Sequence, residues 1–169
     1  MPRVEFASLP DHARVWIFAA ARQLTPDERE ALLAAVNVFL DGWAAHGQPL
    51  TCGRDLRHDR FLLVAADERA AGVSGCSIDA LTRQLRDLER RFETALLDNG
   101  PVHFRDGDGV ERASRAEFGA RADAGKVTQD TIVFDNTVPT LGDVREGRWE
   151  TAARHSWHGR AFFGAAPRL

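Results

Sequence analysis

The residues best placed to do chemistry lie in one run, Gly72-Val73-Ser74-Gly75-Cys76-Ser77-Ile78-Asp79. It follows a strand-like apolar run, Phe61 to Ala66, and precedes a stretch with helical apolar spacing. A small-residue loop between strand and helix lets backbone N–H groups approach a ligand, and the helix dipole adds attraction for negative charge. The same position favours thiolate over thiol at Cys76. Three readings follow. In the first, Ser74, Gly75, Cys76 and Ser77 bind a small anion, phosphate or carboxylate, through backbone N–H groups and hydroxyls. In the second, Cys76 is a nucleophile or redox thiol, with His46 or His158 as base and Asp79 orienting or polarising. In the third, the loop is a tight connection: Gly75 supplies an unusual backbone angle, Ser77 caps the helix, and Cys76 fills a small apolar gap.

Other polar residues invite weaker readings. Trp43-Ala44-Ala45-His46-Gly47 is expected to close the first helix, where His46 would serve as acid, base or ligand, or cap the last carbonyls. Ser156-Trp157-His158 joins a hydroxyl, an indole and an imidazole outside the predicted elements, either as a functional cluster or as a tail anchored by Trp157. Asp55, Asp67, Asp79 and Asp135 fall near strand ends or helix starts. Converging there they could hold Mg²⁺, but aspartate is also ordinary turn and helix-start chemistry, and no metal ligand set is expected. Two cysteines without a CxxC exclude a Cys-only zinc site. A nucleotide P-loop needs Gly-x-x-x-x-Gly-Lys-Ser/Thr, and the one lysine, in Gly125-Lys126-Val127-Thr128, lacks that context. Hydrolysis of ATP by that mechanism is therefore excluded, and no cofactor is indicated.

The elements that must position these residues carry local signals. Arg14 to Ala19 reads as a buried strand. Thr25-Pro26-Asp27-Glu28 opens a helix with a threonine N-cap, proline at the first helical position and a capping-box glutamate. Leu32, Val36, Phe39, Leu40 and Trp43 form its apolar stripe, so a helix is expected over 26–46. Pro49–Arg57 and Arg60–Ala66 read as a hairpin, and Ile78, Leu81, Leu85, Leu88, Phe92 and Leu96 as a second helix over 78–97. Val102–Arg105 and Val110–Arg112 form a second hairpin across Asp106 to Gly109. Ser114 to Glu117 is another capping box, opening a helix that stops near Gly125, and Thr131–Phe134 is a last strand. Beyond Asn136, irregular structure pinned by Trp149 and Trp157 is expected.

This order predicts an α+β fold with a ferredoxin-like β-α-β-β-α-β core, both helices covering one face of an antiparallel sheet. A single domain is expected, with the core over 13–105 and a mixed C-terminal extension over 106–160 packed on it. At 169 residues, 44% hydrophobic and 28% charged, the chain is an ordinary globular one. A net charge of −3 does not indicate nucleic-acid binding. No membrane-length apolar run or signal pattern occurs, which points to the cytoplasm, with Cys52 and Cys76 reduced. Fold-level analogy adds a homodimer through an uncovered sheet face.

Val15-Trp16-Ile17, Trp43 with His46-Gly47, Arg60-Phe61, Ser74 to Asp79, Asp130 to Asn136 and Ser156-Trp157-His158 occur in that order. The pattern resembles an uncharacterised family of small bacterial proteins often labelled "ABC transporter ATPase". The resemblance covers roughly residues 13 to 160, and the Ser74 to Asp79 run is its most specific element. It implies a bacterial cytoplasmic protein and assigns no catalytic residue. The residues themselves favour a binding module for a small anion over a thiol-dependent enzyme using Cys76 or a non-catalytic interaction protein.

Overall fold

A computed structural model of the chain describes residues 3–45, 47–67 and 75–164. Two compact units emerge: Met1–Asp98 with Pro139–Gly142, and Asn99–Val138 with Asp143–Leu169. The fold is α+β, and the named strands pair only antiparallel.

In the first unit, β1 (Arg14–Ala19) precedes α1 (Pro26–Asp41), whose start is the expected one. The Thr25 hydroxyl accepts the Glu28 N–H at 3.2 Å, and the Glu28 carboxylate accepts the Thr25 N–H at 2.9 Å. The end of α1 corrects the expected helix over 26–46. It stops at Asp41, and Gly42, a poor helix residue, is its C-cap. Short strands β2 (Ala44–Ala45) and β3 (Gln48–Pro49) then pair with each other. The helix end expected at His46-Gly47 is thus replaced by one at Asp41, and His46 itself lies outside the described residues.

The hairpin of β4 (Thr51–Arg57) and β5 (Phe61–Asp67) turns through His58 and Asp59, both at φ 55°, with the Arg60 N–H closing onto the Arg57 carbonyl. Two successive positive φ values suit the right-handed twist of the flanking strands. Helix α2 (Gly75–Phe92) is amphipathic and ends before the expected residue 97. Glu93 takes a φ of 53° there, and the Glu89 carboxylate accepts the N–H groups of Leu96 and Leu97.

The sheet of this unit runs β1-β5-β4. In chain order its strands lie first, third, second, as in a split β-α-β unit. Leu32, Val36 and Leu40 of α1 and Leu81, Leu85 and Leu88 of α2 share one core with Cys52, Leu62, Val64 and Ala66, so both helices cover the same face. The face away from the helices, expected to be open to a second copy, is buried: Val15, Ile17, Phe61, Leu63 and Ala65 are all under a tenth exposed. At Gly53 that face meets the N-terminal segment so closely that a Cβ would sit 2.9 Å from the Val4 carbonyl oxygen.

The ferredoxin-like topology stops at three strands. Its fourth strand, expected over 102–105 beside β1, is β6 (Val102–Asp106) and pairs with β7 (Gly109–Ala113) and β8 (Ile132–Phe134). A strand has two edges, and both edges of β6 are taken. Beside β1 lies the segment around Thr140 instead, with the Val15 N–H on the Pro139 carbonyl at 2.9 Å.

The second unit follows β6 and β7 with α3 (Arg115–Asp123), opened by the expected capping box of Ser114 and Glu117. After β8 the chain is not irregular, as expected from its glycine and proline. It forms α4 (Leu141–Arg145), whose first two residues count with the first unit, then β9 (Glu150–Ala152), a 3-10 turn over Ala153–His155, and α5 (Trp157–Phe163). The sheet runs β7-β6-β8-β9. Phe104, Phe118 and Phe162 stack edge to face at 5.1 and 4.9 Å, in a core with Val102, Val127 and Val133. No helix among the described residues is long and apolar enough to cross a membrane.

Candidate functional site: a cationic pocket on the second unit

Three neighbouring elements of the second unit line a pocket of about 340 Å³. Strand β6 contributes Phe104, Arg105 and Asp106. The last turn of α3 and the residues after it contribute Arg121, Lys126 and Val127, and Thr131 enters just before β8. The volume is at the small end of the range for small-molecule sites.

Local folding holds these residues in place. Helix α3 ends in a Schellman motif: the Gly125 N–H bonds the Ala122 carbonyl at 3.0 Å, and the Lys126 N–H bonds the Arg121 carbonyl at 2.8 Å. Gly125 supplies the left-handed conformation, φ 73°, that this motif needs. Buried Val127 anchors the exit, and the Thr131 hydroxyl accepts the Thr128 N–H at 2.8 Å, keeping its own proton to donate.

The charges at the pocket are unequally satisfied. Arg105 donates to the Glu150 carboxylate at 2.9 Å. The half-buried Arg121 guanidinium lies 5.3 Å from the centre of the Phe104 ring, which attracts a cation through its quadrupole. Among the described residues neither Arg121 nor Lys126 has a carboxylate partner. The carbonyl end of α3 offsets only about half a charge. The lining thus carries three cationic residues, Arg105, Arg121 and Lys126, against one carboxylate, Asp106, together with Thr131.

The residues singled out in the sequence are placed as follows. Ser74 and His46 lie outside the described residues. Helix α2 begins at Gly75 rather than at the expected residue 78, so Cys76 lies in its first turn as expected, but Gly75 and Ser77 are helical backbone and Ser77 is not its cap. Asp79 is exposed on that helix. Cys52 is a free thiol, fully buried, 3.6 Å from the Leu40 carbonyl, and burial pushes its pKa up to about 12. Trp43 is core as expected, although α1 ends before it and the helical stripe does not extend that far.

His158 belongs to the second unit and Cys76 to the first. His158 is only 1% exposed in the first turn of α5, stacked on Trp157 with ring centres 3.9 Å apart. Its Nδ1 stands 2.7 Å from the Ser156 hydroxyl oxygen, which also accepts the His158 N–H at 3.2 Å. Ser156 is thus the N-cap of α5, and the expected hydroxyl–imidazole meeting does occur, but inside the core. Burial lowers the His158 pKa to about 4, with Asp135 opposing and Arg115 adding to the shift.

Asp55 pairs with Arg57, Asp67 lies 3.1 Å from His12, and Asp135 accepts from Thr137. Among the described residues no three His, Cys, Asp or Glu side chains come together in a way that could hold a metal ion. The sequence alone does not point to this pocket, because Lys126 lies outside any P-loop context there. Its signal was a pair of cations, Arg121 and Lys126, straddling the helix stop at Gly125. No family model, curated protein or solved structure matches this chain.

Proposed function

We propose that this chain is a binding module for a small anionic molecule, bearing phosphate or carboxylate, seated in the pocket of the second unit. The observation that carries the reading is the pair Arg121 and Lys126, without carboxylate partners among the described residues, beside the Thr131 hydroxyl at a recess of about 340 Å³. Paired arginines elsewhere, such as Arg22 on Glu28 and Arg148 on Asp143, have their charge answered within the protein. A half-buried unanswered guanidinium gains most from an anion, because charge-assisted hydrogen bonds are stronger where water is partly excluded. The Ser74–Ser77 loop remains a second place for the same chemistry.

Calorimetric titration with inorganic phosphate tests the reading. Binding is expected, and Lys126→Gln, on an exposed residue, is expected to weaken it roughly tenfold, the loss of one charge-assisted contact of about 1.5 kcal/mol. Absence of any heat at millimolar phosphate sinks the proposal. Hydrolysis of ATP by a P-loop route remains excluded in this reading, and the resemblance to the "ABC transporter ATPase" family adds only a class of bacterial protein.

A thiol-dependent reaction at Cys76 is the second reading, favoured by the place of Cys76 in the first turn of α2. It requires Cys76 to alkylate with a pKa below the free value of about 8.5 while buried Cys52 stays silent. A thiol at position 76 that reacts only after denaturation ends it.

A further inference from the structure

We infer that the pocket selects a dianionic phosphate monoester over phosphodiesters and carboxylates, an inference that rests on the anion-binding reading above. The residues that line the recess and carry donors come from different elements: Arg121, with its guanidinium fork, from the last turn of α3, Lys126, with its ammonium, from just after Gly125, and Thr131, with its hydroxyl, from just before β8. A planar carboxylate is answered by a single fork. The three terminal oxygens of a phosphate monoester can take a fork, a point charge and a hydroxyl together. A diester has two terminal oxygens, and its second substituent occupies a direction from which a donor approaches.

Charge points the same way. Arg121 and Lys126 lack carboxylate partners among the described residues, so a dianion neutralises both and a monoanion only one. Arg105 is already held by Glu150 and adds little until an incoming anion competes for it. Asp106, exposed at the turn of the β6–β7 hairpin and part of the same lining, repels a dianion about twice as strongly as a monoanion and so reduces the preference that Arg121 and Lys126 create.

A phosphate monoester loses its second proton near pH 6, whereas a diester keeps one charge throughout. Methyl phosphate and dimethyl phosphate are therefore the probes, titrated calorimetrically at constant ionic strength at about pH 5 and about pH 7.5. Methyl phosphate should bind about tenfold more tightly at the higher pH, following the rise of its dianion from roughly a tenth of the total. Dimethyl phosphate should bind at least about tenfold more weakly than the monoester at the higher pH, with no such rise. It also reports any titration of the protein itself. Lys126→Gln should remove most of the preference.

Equal binding of the two esters, or a monoester affinity independent of pH, overturns the selectivity and leaves the anion reading standing. No binding of methyl phosphate, dimethyl phosphate or inorganic phosphate overturns both. A preference unchanged in Lys126→Gln shows that the anion sits elsewhere and overturns the assignment to this pocket.

Discussion

Helix α1 of the first unit and helix α3 of the second begin alike and end differently. Each opens with a full capping box, Thr25 with Glu28 and Ser114 with Glu117. In α1 the glutamate is also gripped by both guanidinium nitrogens of Arg22 at 2.7 Å, so positive and negative charge are closed against one another. At its far end α1 stops at Gly42 and passes into the β2–β3 hairpin. Helix α3 instead stops in a Schellman motif and leaves Arg121 and Lys126 facing a recess. The same starting device serves packing in both units, and the proposed anion site sits where a helix end carries cations without carboxylate partners among the described residues.

The largest expected effects test the two cores. Phe118, fully buried between Phe104 and Phe162, should lose about 3–5 kcal/mol on Phe118→Ala, against about 2–5 kcal/mol for Leu85→Ala in the first unit. Denaturant unfolding measures both, and a loss under about 0.5 kcal/mol at either site means that its packing is not as described.

Acid should separate the units next. The His158 pKa is lowered to about 4, so its folded form favours the neutral ring. The stability this gives is complete above the unfolded value near 6.5 and is lost as pH falls toward 4, roughly 3 kcal/mol in all. Glu28 in the first unit is held down to about 2, first by Arg22 and then by the Thr25 backbone. Its contribution is present above 4.5 and is lost as pH falls toward 2. Amide exchange over a pH series should therefore show the second unit loosening at higher pH, a difference that His158→Gln abolishes. Simultaneous loosening of both units counts against this account.

Caps come third. Thr25→Ala and Ser114→Ala should each cost about 1 kcal/mol by thermal unfolding, since each leaves a first-turn N–H without its acceptor. A cost near zero in one means that water replaces that cap. The smallest effect belongs to Lys126→Gln, with stability unchanged within about 0.5 kcal/mol because the side chain is exposed. A large destabilisation there would make Lys126 structural and break the contrast between the two helix ends.

Elements with local signals were legible in the chain. The Thr25 and Ser114 capping boxes, the β4–β5 and β6–β7 hairpins and the stripe of α2 each depend on residues within one or two turns of each other. The alternation of β1 and the apolar faces of α1 and α2 also determined that both helices share one side of a sheet. Of the expected site, the place of Cys76 in the first turn of α2 and the Ser156–His158 contact were legible, both being local in sequence, while the start of that helix lay three residues earlier than its apolar stripe suggested. What the sequence could not determine was pairing at a distance. Which edge β6 would take, whether the chain after Asn136 would find partners for β9 and α5, and that Arg105, Arg121 and Lys126 would line one pocket all depend on segments far apart in the chain. A strand or a cation carries no mark of its distant neighbour, because burial and charge balance are settled only when those segments pack together.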